Sequence, residues 1–342
     1  MMLRLQRFVL LLAVSLVAAC GGGGGGGGSS TGGGSSGGGA PGGSSSSPVA
    51  LSTTNAPNAA AAVADAAFLV TGTSEPLASV PTGVVVSGGS SFKLNEFLST
   101  QLQTINNIKA SITPMPVGVQ TTTTLNCSLG GTMSIGLNDA DNSGSTSTGD
   151  TFTLTFASCN EDGAVLNGGI SASNLVLTKT SATAYAFSGL ITISNLTYAD
   201  GFDSGALTVA MTFSETTSDS VTFTSTLNIS SLAATGTETM TITNLNTTIV
   251  ENRSTGAYSL SIASGTINSA KLGGTVTVVT LSPLQAIGAA YPHAGSVKIT
   301  GATSSVTLTA LSNTNVRITV DSNNDGVTDG TILKTWAELE AI

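Results

Sequence analysis

Hydrophobic and polar residues alternate along most of the chain after Gln120. The period of two is clear in Thr151–Phe156, Leu207–Phe213 and Val316–Val320, where apolar residues alternate mainly with Thr. Segments of this kind form strands with one dry face and one solvated face, and clusters of Gly, Asn, Asp and Ser separate them. The pattern predicts a mainly β fold for residues 121–342, with about a dozen antiparallel strands in a β-sandwich or in one strongly curled sheet.

Residues 49–120 have a helical pattern instead. The stretch Pro57–Phe68 is rich in alanine, and its proline is compatible with the first turn of a helix. In Phe92–Ile108, apolar residues recur every three or four positions and would share one helical face. We predict that residues 49–120 are a helical segment that packs on the sheet. A membrane-surface or partner-binding helix is the alternative for Phe92–Ile108.

The first 48 residues have the composition of an export signal followed by a tether. Arg4 and Arg7 precede the apolar run Phe8–Ala19, as in a secretory signal peptide, and that run is too short to span a bilayer permanently. Residues 20–48 are almost entirely Gly and Ser and include eight consecutive glycines. Such a segment buries too little to offset its ordering entropy. It predicts a disordered tether with a mean reach of about 30 Å.

The segment Val17-Ala18-Ala19-Cys20 resembles the lipobox of bacterial lipoproteins. The resemblance implies that residues 1–19 are removed and that Cys20 is acylated, so that acyl chains anchor the protein in a membrane. Gly21, where inner-membrane lipoproteins often have Asp, favours the outer membrane, facing the periplasm or the surface. With its Thr-rich strands, the whole chain resembles β-rich surface lipoproteins of Gram-negative bacteria, which implies no particular activity. The alternative is an ordinary signal peptide with an incidental cysteine.

The chain is acidic and sparsely charged. Its formal net charge is −9, and charged residues make up only 8% of it. The basic residues are scattered and form no stripe that could neutralise phosphates, which argues against nucleic-acid binding. Ser, Thr, Asn and Gly must therefore provide most of the solvated surface.

Two cysteines remain besides Cys20. Export would take Cys127 and Cys159 to an oxidising compartment, where they are the available intramolecular pair. A disulfide between them would close a loop of about 30 residues and stabilise the fold by roughly 3–4 kcal/mol. The alternative is a pair of buried, reduced thiols.

An acidic loop between these cysteines has the spacing of a calcium ligand set. Positions 1, 3, 5, 6, 9 and 12 of an EF-hand-type loop are matched by Asp139, Asp141, Ser143, Gly144, Ser147 and Asp150. Calcium takes six to eight oxygen ligands, so alternate residues of a tight turn must point inward. The loop resembles those of EF-hand and dockerin proteins without their helices. It predicts a weak Ca²⁺ site, whereas an Asx-rich turn is the alternative.

A second acidic loop has similar spacing near the C-terminus. Positions 1, 3, 5, 6 and 9 are matched by Asp321, Asn323, Asp325, Gly326 and Asp329. Val327 would offer its main-chain carbonyl at position 7. Position 12 is Ile332, which cannot coordinate a metal, so Glu338 or Glu340 would have to complete the shell. This loop also predicts Ca²⁺, again with an Asx-rich turn as the alternative.

Catalytic signals are weak. The sole histidine, His293, lies in a turn-like segment, and the chain has no nucleophile elbow to accompany it. The carboxylate pairs Glu161 with Asp162 and Asp200 with Asp203 are typical of turns.

We therefore expect a non-catalytic, membrane-anchored lipoprotein outside the cytoplasm, with a binding, adhesion or scaffold role and with Ca²⁺ as a stabilising ion. The partner could be a surface glycan, a protein or an apolar ligand. A periplasmic carrier that holds an apolar ligand under a curled sheet is the first alternative. A glycan-active hydrolase is the second, and it would require two carboxylates about 5–10 Å apart.

Overall fold

The described part of the chain is one antiparallel β-sheet of 14 strands. The computed structural model describes residues 47–71, 121–127, 129–141, 147–161, 164–181, 183–199, 204–235, 239–288 and 290–342. The strands lie in the sheet in the order in which they occur in the sequence, each antiparallel to its neighbours. The prediction of a mainly β fold is confirmed, and of its two forms the structure shows the single sheet.

The strands differ strongly in length. Seven of them, β4 to β10, have 13 to 16 residues, and the others have 6 to 11. Their bounds are β1 Thr121–Asn126, β2 Thr132–Asn138, β3 Thr151–Glu161, β4 Ala164–Lys179, β5 Tyr185–Ala199, β6 Ser204–Thr217, β7 Thr222–Thr235, β8 Met240–Asn252, β9 Ala257–Ser269, β10 Gly274–Ile287, β11 Ala294–Thr300, β12 Ser305–Ala310, β13 Asn315–Asp321 and β14 Gly330–Thr335.

Alternation along each strand places the apolar residues on one face of the sheet. In β13, Val316, Ile318 and Val320 are buried, whereas the intervening Arg317 is exposed. Equivalent residues from β2 to β13 belong to one continuous core cluster. Burial of one such side chain contributes roughly 1.5–3 kcal/mol relative to an exposed position. Each strand is therefore more stable when its apolar residues lie on the same face as those of its neighbours, which makes the dry face continuous across the sheet.

Three asparagines interrupt the alternation with β-bulges. Asn174, Asn195 and Asn244 have φ values of 52°, 46° and 52°, and the strand register shifts at each of them. The next residue in each case is a buried leucine, namely Leu175, Leu196 or Leu245, and the last two belong to the core cluster. Bulges add local bend and right-handed twist, so these asparagines curl the sheet while they keep the leucines on its inner side.

The helix α1 (Ala56–Thr71) packs on the dry face. It contacts β8, β9 and β11 to β13. Its described side chains are buried on nearly all sides, because the consecutive residues Ala59 to Ala64 are each at most 5% exposed. Most of these residues are alanines, which allows the helix backbone to approach its neighbours closely. The helix predicted over Pro57–Phe68 is confirmed, and Phe92–Ile108 lies outside the described residues. Within the described residues, no helix combines the length and apolar character needed to cross a membrane.

The segment before α1 is already part of the fold. Ser47 and Val49 exchange main-chain hydrogen bonds with Thr275 of β10, and the Leu51 amide donates to the fully buried hydroxyl of Ser304. Ser47 and Pro48, the last two residues of the predicted tether, therefore belong to the fold, because both bridge to β10. Residues 20–46 lie outside the described residues.

A short helix, α2 (Trp336–Glu340), follows the last strand. Its N-terminus carries a capping box, in which the Thr335 hydroxyl accepts from the Glu338 amide and the Glu338 carboxylate accepts from the Thr335 amide. Trp336 is 1% exposed, and α2 contacts α1. The C-terminus is thereby attached to the core.

Cys127 and Cys159 form a disulfide, as predicted, with their Cα atoms 5.4 Å apart. Cys127 follows β1, and Cys159 lies in β3 just beyond the point where β3 stops pairing with β2. Both cysteines are buried. The bond therefore ties the turn between β1 and β2 to the base of the β2–β3 hairpin.

Candidate functional site

The first acidic loop is the tip of the β2–β3 hairpin. Asn138 pairs with Thr151 at the end of the ladder, so the twelve residues from Asp139 to Asp150 form the connection. The disulfide lies at the opposite end of the same hairpin. The disulfide therefore clamps the base of this hairpin, and its tip carries the acidic residues.

The loop brings three carboxylates together. One oxygen from each of Asp139, Asp141 and Asp150 can be chosen so that all three lie within 4.8 Å of one another. Calcium binds oxygen at about 2.3–2.6 Å, so ligands on opposite sides of one ion are about 5 Å apart. The three carboxylates therefore have the spacing of a calcium ligand set. Ser143, the fourth predicted ligand, lies outside the described residues.

Asp150 is the fixed member of this group. Its side chain is buried, with the residue 3% exposed, and it accepts hydrogen bonds from the amides of Ala140 and Ser147 at 2.9 and 2.7 Å. The Ser147 hydroxyl donates to it as well. A buried carboxylate needs such donors, and here they hold both ends of the loop against Asp150.

Strand β4 supports the loop from the side. Gly149, which has φ of +93°, donates its amide to the carbonyl of Leu175. The Thr148 hydroxyl accepts a hydrogen bond from the Leu177 amide at 3.0 Å and donates one to the Leu177 carbonyl at 3.3 Å. These contacts fix the end of the loop that contains Asp150. Asp139 is half-buried and Asp141 is exposed, so the cluster opens to solvent on their side.

The second acidic loop is arranged differently. It connects β13 to β14, and the two oxygens of Asp321 accept from the amides of Asp325 and Gly326 at 3.1 and 2.9 Å. Asp325 accepts from the Val327 amide and from the Asn323 side chain. Asp329 accepts from the amide and hydroxyl of Ser322. In the described part of the chain, groups of three carboxylates at metal-binding distance are found in the first loop and not in this one.

Glu338 does not complete the second loop. The loop precedes β14, whereas Glu338 belongs to α2 at the other end of that strand, and its carboxylate accepts from the amide and hydroxyl of Thr335. Glu340 belongs to the same helix. The expectation that either residue supplies the missing ligand is wrong, because six residues of extended strand separate α2 from the loop.

The structure does not bring together the described members of the other candidate residues, His293 and Glu161. His293 is exposed in the loop between β10 and β11, where its amide donates to the carbonyl of Gln285. This agrees with the predicted turn-like setting. Glu161 ends β3, whereas Asp162, Asp200 and Asp203 lie outside the described residues.

The structure also contains an ionic network that the sequence did not indicate. Arg253, in the turn after β8, donates through Nη2 to Glu215 at 2.7 Å and through Nε to Glu251 at 3.4 Å. Its guanidinium carbon lies 3.3 Å from the ring centroid of Phe223. The Tyr185 hydroxyl donates to the other oxygen of Glu215. These five residues are called the Arg253 network below.

The Arg253 network lies on the same face of the sheet as the core. Glu215 shares the odd-numbered face of β6 with the buried Val209 and Met211, and Glu251 faces Phe223 across β7 and β8. Glu251 is only 8% exposed. Burial raises the pKa of Glu251, Arg253 lowers it, and the negative charge of Glu215 raises it again, with a net increase. Burial and the bond to Glu215 likewise raise the pKa of Tyr185.

Comparisons of the chain with protein families, with curated proteins and with solved structures found no match. The site is therefore interpreted from its own geometry.

Proposed function

We propose that the chain is a lipid-anchored, non-catalytic binding or scaffold protein of the bacterial outer membrane, with a Ca²⁺ ion bound at the first acidic loop. The anchor rests on Val17–Cys20 and the tether on the Gly/Ser-rich residues that follow. The buried bond between Cys127 and Cys159 supports an oxidising compartment, since disulfides persist mainly outside the cytoplasm.

The observation that carries the calcium proposal is the convergence of Asp139, Asp141 and Asp150 within 4.8 Å. Three carboxylates at this distance repel one another, and a divalent cation would remove that repulsion. Hard cations such as Ca²⁺ prefer oxygen ligands. Asp150 is hydrogen-bonded to the Ala140 amide, and Thr148 is hydrogen-bonded to β4. A bound ion would therefore link Asp139 and Asp141 to this fixed end of the loop and stabilise the fold.

Thermal unfolding of the full chain, with excess chelator and with millimolar CaCl₂, tests the calcium site. A ligand at ten times its dissociation constant stabilises the native state by about 1.4 kcal/mol, so the melting temperature should rise with calcium. Asp141→Asn should abolish most of this rise, because it removes one of the three carboxylates. Asp141 is exposed, so its replacement leaves the core intact. Asp325→Asn in the second loop is the matched control and should retain it.

Two outcomes contradict the calcium proposal. The first is a melting temperature of the unmodified chain that calcium does not change. The second is a rise that survives Asp141→Asn but disappears in Asp325→Asn, which would move the ion to the second loop.

The anchor is tested separately by labelling cells with a fatty-acid analogue and separating their membranes. The unmodified chain should carry the label and sediment with the outer membrane, whereas Cys20→Ala should be unlabelled. Cys127→Ala is the matched control, because it removes a cysteine that the disulfide already occupies. Label retained in Cys20→Ala, or an unmodified N-terminus found by mass spectrometry in the mature unmodified chain, contradicts the anchor.

A further inference from the structure

The Arg253 network has one positive charge for two carboxylates. Glu215 and Glu251 both contact the guanidinium of Arg253, at 2.7 and 3.4 Å. When both carboxylates are ionised, the group therefore carries one net negative charge. Only 10% of the Glu251 side chain is exposed, against 20% for Glu215, so the excess charge is poorly solvated at Glu251.

The two carboxylates also differ in their hydrogen bonds. Glu215 accepts from the Tyr185 hydroxyl and from Arg253 Nη2, and Ser225 Oγ lies 3.5 Å from it. Glu251 has the longer contact to Arg253 Nε. Donors stabilise the ionised form of a carboxyl group. Glu251, which has the longer contact and the less exposed side chain, is therefore the group that would take up a proton.

The neighbouring elements supply few other charges. Opposite Glu251, β7 offers Phe223 and β9 offers the phenol of Tyr258, while β6 offers Glu215 and β5 offers Tyr185. The turn between β6 and β7 contains Asp219, whose carboxylate accepts from the amides of its own turn. Among these described groups, Arg253 is the cation that faces Glu251.

We propose that the Arg253 network is a proton-binding site, in which Glu251 takes up a proton as the surroundings become more acidic and thereby stabilises this end of the sheet. Protonation leaves Glu215 and Arg253 as a balanced ion pair and removes a poorly solvated charge. The strands β5 to β8 and the turn after β8 each contribute one residue to this network. A more stable network should therefore make these strand ends more stable. An outer-membrane protein would meet changes of ambient pH at this site.

The sign of the effect follows from the direction of the shift. The pKa of Glu251 is higher in the folded chain than in the unfolded chain, so the folded state binds the proton more tightly. The stabilisation is complete below the pKa of the unfolded chain and is lost as the pH rises through the pKa of the folded chain. Glu251→Gln fixes the neutral form and serves as the reference.

The test is a carboxyl titration by NMR of the full chain with ¹³C-labelled glutamate, in which the Glu251 signal is identified by its loss in Glu251→Gln. We expect Glu251 to titrate above the usual range of a glutamate. Glu215→Gln should lower its midpoint, because a like charge is removed, and Arg253→Gln should raise it, because the cation is removed. Arg253→Lys, which keeps the charge, should raise it less and provides a second variant if Arg253→Gln fails to fold.

The stability readout is the difference in unfolding free energy between the unmodified chain and Glu251→Gln. As the pH falls, the unfolding free energy of the unmodified chain should rise relative to that of Glu251→Gln. Asp219→Asn is the matched control with the opposite sign, because hydrogen bonds from the amides of Thr222 and Val221 lower the pKa of Asp219. A Glu251 signal that titrates with the exposed glutamates, or midpoints that do not respond in opposite directions to Glu215→Gln and Arg253→Gln, would overturn the proposal.

Discussion

The indole Nε1 of Trp336 donates a hydrogen bond to the carbonyl oxygen of Pro292 at 3.1 Å. The same N–H lies 3.2 Å from the carbonyl of Ser312, and the indole stacks on Tyr291 with their centroids 5.9 Å apart. Trp336 thus joins the C-terminal helix to the loop between β10 and β11 and to the turn between β12 and β13. A residue after the last strand of the sheet closes one end of the core.

Trp336→Ala should therefore lower the free energy of unfolding by about 3–5 kcal/mol, as large-to-small changes of buried aromatic residues do. Trp336→Phe should cost less, because it keeps an aromatic ring in the core although it loses the N–H donor and part of the ring area. Urea unfolding measures both. Leu333→Ala is the control, since Leu333 is 70% exposed and should change stability by less than about 0.5 kcal/mol. Equal losses for Trp336→Ala and Leu333→Ala would show that the tryptophan is not part of the core.

Asn195 is predicted to be required for its backbone conformation. Residues with a side chain pay roughly 1–2 kcal/mol for a left-handed conformation, and Asn tolerates it better than most. Asn195→Ala should therefore destabilise the fold by about 1 kcal/mol, whereas Asn195→Gly should be nearly neutral because glycine adopts positive φ freely. Urea unfolding of Asn228→Ala, at an exposed position without positive φ, gives the baseline. Greater loss in Asn195→Gly than in Asn195→Ala would contradict this role.

The alternation of Thr with apolar residues was sufficient to predict the strands, because it follows directly from burial of one face. It did not distinguish a sandwich from one sheet, since both bury the same face of each strand. The bulges also escaped prediction: an asparagine that adds one residue to a strand, such as Asn195, leaves only a small break in the period. The helix at Ala56–Thr71 was recognisable from its alanines and its proline.

The two candidate sites differ in how much of them is local. Asp139, Asp141 and Asp150 lie in one hairpin connection, so their spacing in the sequence already indicated a ligand set. Glu215 and Arg253 are 38 residues apart, and they meet only because β6, β7 and β8 pair in one particular register. Nothing in the local sequence of either residue marks that contact.

The contribution of the turn between β6 and β7 to the stability of the fold should depend on pH through Asp219. Its Oδ1 accepts from the amides of Thr222 and Val221, which lowers the pKa of Asp219. The stabilisation is therefore present above the pKa of the unfolded chain and is lost as the pH falls through the lower pKa of the folded chain. The unfolding free energy of the unmodified chain relative to Asp219→Asn should fall on acidification. An increase of this relative unfolding free energy on acidification would contradict the stabilising role of the ionised Asp219.

Removal of the disulfide should separate the stability of the fold from calcium binding. Cys127→Ala with Cys159→Ala opens a loop with a sequence separation of 32, which should lower the unfolding free energy by about 3–4 kcal/mol in the chain-entropy description. Strand β1, which pairs with β2 at this end of the sheet, should lose protection from hydrogen exchange first.

The acidic loop lies at the opposite end of the β2–β3 hairpin, where the Asn138–Thr151 pair and β4 hold it independently of the disulfide. The double variant should therefore keep its calcium-dependent rise in melting temperature although it melts lower throughout. Reduction of the unmodified chain provides the matched control, because it opens the same bond without a substitution and should give the same result. Loss of the calcium response together with the disulfide would mean that the hairpin tip depends on its base, and the two ends would then have to be treated as one cooperative unit.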